Sequence, residues 1–319
     1  MPSPGHFFKL IRWPNLVFVA ITQILFHFSV VLTSAHSDVW QFPLQLKQHL
    51  FWILVVASLL ITAAGYIIND YFDINIDEVN KPGDMVVDRH ISRRTAIVLH
   101  SSFSLLGLLL SAYVGYKLEN PFVPAGNLVC IALLWLYSTT YKRRMIVGNV
   151  IISLMTAWVI GVMLVAEIPF WWKATELDTR EQLTMARLWR IGALYASFAF
   201  VISLVREVIK DIEDMEGDKK DGCRTLPIVY GIDAARVFAG TWLLILIVAL
   251  LATQLYVMFF GWWYSIAYIL LLVVAPCIRL FSLLFKAASK EEFHILSSRL
   301  KWVMLAGIMS MIFFHWYTS

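Results

Sequence analysis

Asn69-Asp70-Tyr71-Phe72-Asp73-Ile74-Asn75-Ile76-Asp77 follows directly on an apolar run, 50–68, of about nineteen residues, the length that crosses a bilayer core as a helix. Charged chemistry begins where a membrane span ends. Continued as a helix at roughly 100° per residue, Asp70, Asp73 and Asp77 fall within about 60° of one another, with Asn69 beside them. Carboxylates so close on one face repel, so the face calls for a compensating cation or a wet location. The same spacing recurs at Asp211, Asp214 and Asp218, 141 positions on (211 minus 70) and again after an apolar run, the pattern of an internally duplicated helical unit.

Working outward, 60% of the 319 residues are hydrophobic and 15% charged, a balance that excludes a water-soluble domain and specifies an all-α integral membrane protein. Stretches long enough to span occur near 15–35, 50–68, 95–118, 122–140, 146–166, 188–205, 234–254, 262–285 and 301–317. They predict a nine-transmembrane-helix bundle that takes up residues 1–319 as a single domain, with Trp171 and Trp172 at an interface. The first stretch is longer than the core of a cleaved signal peptide and reads as a retained span. Pro124 falls at a helix start, where it is tolerated, whereas Pro276 interrupts the eighth span and predicts a kink. Cys130, Cys223 and Cys277 are odd in number and widely spaced, which fits packing rather than a disulfide framework or thiolate metal site.

Lys47, Lys117, Lys173, Arg180, Arg187 and Arg190 lie on one side of such a bundle, and the other 20 of the 26 basic residues on the opposite side. The positive-inside rule places the amino terminus and both Asp motifs in the cytoplasm and the carboxy terminus outside. A formal charge of +4 says little by itself, because membrane proteins concentrate Lys and Arg on one side, and no nucleic-acid partner is expected.

Two carboxylate triplets facing each other at a membrane surface suit Mg2+, which takes oxygen ligands and keeps positions for water and substrate phosphates. A metal-bridged allylic diphosphate can then ionise to a carbocation-like prenyl group, which an aromatic-rich bundle shields from water. The partners expected are a prenyl diphosphate donor, a lipophilic acceptor and membrane lipid. A solvated acidic loop is the bland alternative, but acidic clusters on the positive side run against the usual bias.

These residues resemble the UbiA family of intramembrane prenyltransferases. Asn69, Asp73 and Asp77 are similar to the family's first motif, and Asp214 and Asp218 to its second, which Asp211 extends. Arg12, Asn15, Asn80-Lys81-Pro82, Tyr137-Ser138 with Lys142, and Gly148-Asn149 extend the likeness over most of the chain. The resemblance implies a bundle with a central lipid-accessible cavity. It implies catalysis by Asp73, Asp77, Asp214 and Asp218, and Mg2+ held by Asn69, Asp70, Asp73, Asp77, Asp211, Asp214 and Asp218. Substrate contacts are expected from Asn15, Asn69, Lys142, Arg206 and Lys210.

By themselves several of these residues read otherwise. Lys142 opens a basic cluster with Arg143 and Arg144 that could anchor at headgroups. Asn15 could cap a helix. Arg206 and Lys210, a turn before the second triplet, either contact phosphate or balance Asp211 and Asp214. His100 reads as a satisfied interior histidine. Many family members carry Arg-Pro where this chain has Asp84-Met85, which leaves Arg89, Arg93 or Arg94 to supply that positive charge.

The segment from Arg206 through Pro227 is most similar to the branch that alkylates geranylgeranylglyceryl phosphate, so ether-lipid synthesis in a bacterial or archaeal plasma membrane is the expectation. Prenylation of an aromatic quinone precursor is the alternative. A divalent-cation transporter is a distant third, since transport paths place ionisable residues near the bilayer midplane.

Overall fold

The computed structural model describes residues 4–37, 40–41, 45–80, 83, 85–167 and 178–318. Lys81, Pro82, Asp84, Trp171, Trp172 and Lys173 lie outside them. Nine helices among the described residues are long and apolar enough to cross a membrane: α1 (Trp13–Ser34), α2 (Gln48–Phe72), α3 (Arg93–Leu118), α4 (Phe122–Thr139), α5 (Val147–Glu167), α6 (Glu181–Glu213), α7 (Ile232–Met258), α8 (Trp263–Leu284) and α9 (Lys290–Tyr317). Apart from a two-residue ladder pairing His36–Ser37 with Trp40–Gln41, no β-structure occurs among the described residues beyond isolated bridges.

Each span expected from hydropathy is a helix, but α6 and α9 begin earlier than their apolar stretches. Capping boxes start both. Asp178 Oδ1 accepts from Glu181 N at 2.8 Å while Glu181 Oε2 accepts from Asp178 N at 2.9 Å, and Ser289 and Glu292 repeat the exchange at 3.3 and 3.0 Å. Polar first turns held this way are invisible to a hydropathy window. In α8 the helix widens to π-helical turns at Leu270–Val274 just before Pro276, so the ring that cannot donate is accommodated by a local change of winding.

The outside of the bundle is apolar, as lipid solvation requires, and its apolar interior also holds buried polar side chains. Leu105, Leu109, Leu255, Phe259 and Trp302 are exposed on its outside, while Gln23, Ser111, Asn127 and Ser153 are buried. Gln23 Nε2 on α1 donates to Ser58 Oγ on α2 at 3.0 Å and to Val159 O on α5 at 3.1 Å. Asn127 on α4 donates to Ser111 Oγ on α3 at 2.7 Å and accepts from Trp158 Nε1 on α5 at 2.9 Å. Such bonds knit helices where water cannot compete. Two larger cores result. One joins α6 to α7, α8 and α9 through Val205, Ala239, Cys277 and Leu300; the other joins α1, α2 and α5 through Phe26, Phe51 and Met163. All three cysteines are free and buried, in keeping with a packing role.

Candidate active site

Both Asp motifs sit at matched breaks. α2 ends at Phe72 with Asp73 at φ −88°, ψ 3°, and the short helix Ile74–Asn80 follows; α6 ends at Glu213 with Asp214 at φ −93°, ψ 3°, and Met215–Lys220 follows. The triplets therefore do not ride on unbroken helices. Helix-type bonds still cross each break, Asp77 N to Asp73 O at 2.8 Å and Asp218 N to Asp214 O at 3.1 Å, so the one-turn spacing survives the bend. The second Asp of each motif occupies the bridge region of backbone space, sparsely allowed and common at active sites.

One side chain locks the breaks together. Asn80, at the end of the first motif's short helix, donates from Nδ2 to Asp214 O at 2.9 Å and accepts at Oδ1 from Gly217 N at 3.0 Å. A Cβ on Gly217 would come within 2.5 Å of the Asn80 amide, so only glycine permits this approach.

The first Asp of each motif is already engaged. Asp70 Oδ1 accepts from Arg12 Nη2 at 2.7 Å, and Asp211 Oδ2 accepts from Asn149 Nδ2 at 2.9 Å. Asp73 meets a different pair: its Oδ2 accepts from Asn69 Nδ2 at 2.6 Å and from the Lys142 ammonium. Lys142 is thus no headgroup anchor. It sits on a one-turn 3-10 helix, Tyr141–Arg143, tied to the loop after the second motif by the Arg143–Asp221 ion pair at 2.7 Å and by Arg224 N donating to Arg143 O at 3.0 Å. Gly148 lets α5 begin against this turn, since a Cβ there would lie 3.0 Å from Tyr141 O.

Asn15 is not the cap of α1. That position belongs to Arg12, which adopts a left-handed backbone at φ 49°, and Asn15 lies a turn inside, beside the Tyr66 hydroxyl. The Arg12 guanidinium stacks 5.1 Å over the Tyr66 ring, so backbone strain is spent placing this cation against α2. The charge of Lys210 acts on Asp211, but neither Arg206 nor Lys210 forms an ion pair with it. Their partner is Glu207, at 2.7 and 3.7 Å, a residue the sequence reading overlooked although it stands one after Arg206 and three before Lys210. His100 is satisfied through Nδ1 and Ala64 O at 2.9 Å, as expected of an interior histidine.

Electrostatics couple the two motifs. Burial, the largest influence, pulls the Lys142 ammonium down, but the charges of Asp73, Tyr137 and Asp218 and the bond to Asp73 hold it well above the ordinary lysine range. Lys142 is a permanent cation. Asp218 is pushed up to about 6 by burial and by the like charges of Asp214 and Asp73, against the opposing pull of Lys142 and Lys210. Asp73, Asp214, Asp218 and Lys142 therefore share one site, and Asp77 stands half-buried on the adjoining short helix.

The residues fit a hard divalent cation. Asn69 Oδ1 and Asp218 Oδ1 are buried oxygens that accept no hydrogen bond, the kind of donor that a metal or its water satisfies. Among the described residues no three acidic, imidazole or thiol groups form a ready cage. Mg2+ keeps waters and substrate phosphates in its shell, so these oxygens would supply only part of its coordination.

The sequence profile of the UbiA prenyltransferase family matches residues 27–305. This chain belongs to that family. The UbiA membership makes it an intramembrane prenyltransferase, and the likeness extends beyond the profile. It is 30% identical over 266 residues to the digeranylgeranylglyceryl phosphate synthase of Methanosphaera stadtmanae, covering 81% of this chain and 86% of that one. A solved structure concerned with digeranylgeranylglyceryl phosphate synthase in membranes is similar at TM-score 0.57 and 25% identity over 97% of this chain and 98% of the other. A UbiA homolog from Archaeoglobus fulgidus, solved bound to DMAPP and Mg2+, shares the fold at TM-score 0.57 and 15% identity over 96% and 98% of the two chains.

Proposed function

We propose that this protein transfers a geranylgeranyl group from its allylic diphosphate to geranylgeranylglyceryl phosphate, with Mg2+ held at the two Asp motifs. The observation that carries the reading is the paired break at Asp73 and Asp214, which gathers carboxylates of both motifs around the half-buried cation Lys142. Asn69, Asp73, Asp77, Asp214 and Asp218 are the residues suited to hold the metal; Asp70 and Asp211, engaged by Arg12 and Asn149, would support it from the flanks. Mg2+, when bound, neutralises charge that develops on the leaving diphosphate.

The chain's own groups do the rest. Lys142 supplies a fixed positive charge to diphosphate oxygens, and Asn15 and Arg12 face the same site from α1. As the allylic carbon–oxygen bond breaks, Tyr66 and Tyr137, both within reach of the site's charged groups, offer ring faces to a cationic prenyl carbon. The acceptor hydroxyl bonds to that carbon and yields its proton to a motif carboxylate or to the released diphosphate. The acceptor follows from the name borne by the relatives, and Mg2+ from the metal reported with the Archaeoglobus fulgidus homolog. Residues 1–319 act as one unit in a plasma membrane, with the amino terminus and both motifs on the cytoplasmic side. Purified protein in lipid, offered geranylgeranyl diphosphate with geranylgeranylglyceryl phosphate and a panel of aromatic acids, tests this by product mass. An ether product that requires Mg2+ is expected; an alkylated aromatic instead would contradict the acceptor.

A further inference from the structure

The cations around the motifs divide by their partners. Lys142 is bound to Asp73, and Arg12 to Asp70. A second group lies back along α6, within electrostatic reach of the first, where Arg206 and Lys210 flank Glu207 and each side chain is mostly buried. α9 packs against both α6 and α1, and its half-buried Lys301 comes within electrostatic reach of Arg206, Lys210, Arg12 and Glu207. Arg206 and Lys210 pair with the one carboxylate of Glu207, which Lys301 reaches only at longer range, so these four side chains carry a surplus of two positive charges (three minus one). Arg206 Nε is buried and donates to nothing. A surplus of charge inside a bundle is expensive and marks a substrate path more often than a structural role.

We propose that Arg206, Lys210 and Lys301 form a second anion site, which receives the phosphate monoester of the acceptor, separate from the Lys142–Asp73 cradle that takes the donor's diphosphate. The proposal rests on the acceptor named above. A phosphate monoester carries about two negative charges near neutral pH and presents several strong acceptors, a match for that surplus and for the idle Arg206 donor. A phenol matches neither. At 1.5 Å rise per residue, Lys210 and Arg206 stand about 6 and 12 Å from Asp214 along α6. That interval leaves room for the reacting prenyl carbon and a three-carbon glycerol between the two anions. Glu207 acts as a positioning residue, holding the two α6 cations in place.

The test compares wild type with Lys301→Met and Lys301→Arg in liposomes, with Lys301→Gln in reserve should the Met variant fail to insert. It measures KM for each substrate and equilibrium binding of geranylgeranylglyceryl phosphate without donor, using geranylgeranylglycerol as the probe lacking phosphate. Lys301→Met is expected to raise acceptor KM and Kd about tenfold, the effect of one charge-assisted contact. It should leave donor KM and the binding of geranylgeranylglycerol unchanged, and Lys301→Arg should restore phosphate binding. A rise in donor KM with unaltered acceptor binding would assign the group to the diphosphate and overturn the proposal, as would no change at all or a wild type that does not bind the phosphate acceptor. Binding through Lys301 without prenyl transfer would leave the anion site standing and contradict the function instead.

Discussion

Asp218 is buried, and burial together with the like charges of Asp214 and Asp73 pushes its carboxyl up to about 6 against the pull of Lys142. The sign of the pH dependence follows. Below about 6 the metal-free site keeps a proton on Asp218, and a divalent cation must displace it; above that value the carboxylate is free to ligate. Mg2+ affinity of the purified protein, measured by titration between about pH 5 and 8, is therefore expected to rise through about 6 and then level off, and Asp218→Asn should flatten the curve. At this scale the carboxylates and Lys142 were legible in the sequence because their spacing or resemblance marks them. Glu207 and Tyr66 were not. A single glutamate between two cations, or a tyrosine in an apolar run, gains meaning only when another helix is placed against it.

The site is made by two elements bent alike. A hydropathy window finds α2 and α6, and helical periodicity finds the triplets, but neither predicts that each helix breaks at its second Asp. The break depends on a contact 134 residues apart, Asn80 to the carbonyl of Asp214, and on the bare backbone of Gly217. Asn80→Ala leaves two backbone groups near the site without their partner and should cost about 1–3 kcal/mol locally. It is expected to reduce kcat by about tenfold or more with helix content unchanged by circular dichroism. Gly217→Ala should behave the same way through steric displacement of Asn80, and combining the two should add little, since both remove one contact. The early start of α9 has a similarly local cause. Ser289→Ala removes half of a capping box and should destabilise the helix by about 1 kcal/mol, read as a lower thermal midpoint with activity retained.

Across the whole molecule, nine spans, their order and the membrane solvent were readable from apolar run lengths alone, because in lipid every backbone group must be satisfied within its own helix. Packing partners were not readable, since residues such as Gln23 and Asn127 choose their neighbours only in three dimensions. The strong sidedness of Lys and Arg predicts that single cysteines placed near Asp88 and Asp221 label only from the cytoplasmic face of sealed vesicles, and one near Glu119 only from the other. The proposed site requires both Asp motifs to act together on one metal-bound diphosphate. The most direct measurement is Mg2+-dependent prenyl transfer by Asp73→Ala and Asp214→Ala in liposomes, with folding and insertion verified for each. A loss of about 10³-fold or more is expected in both, because each removes a metal-facing carboxylate from a shared site. Full activity in either variant would contradict it.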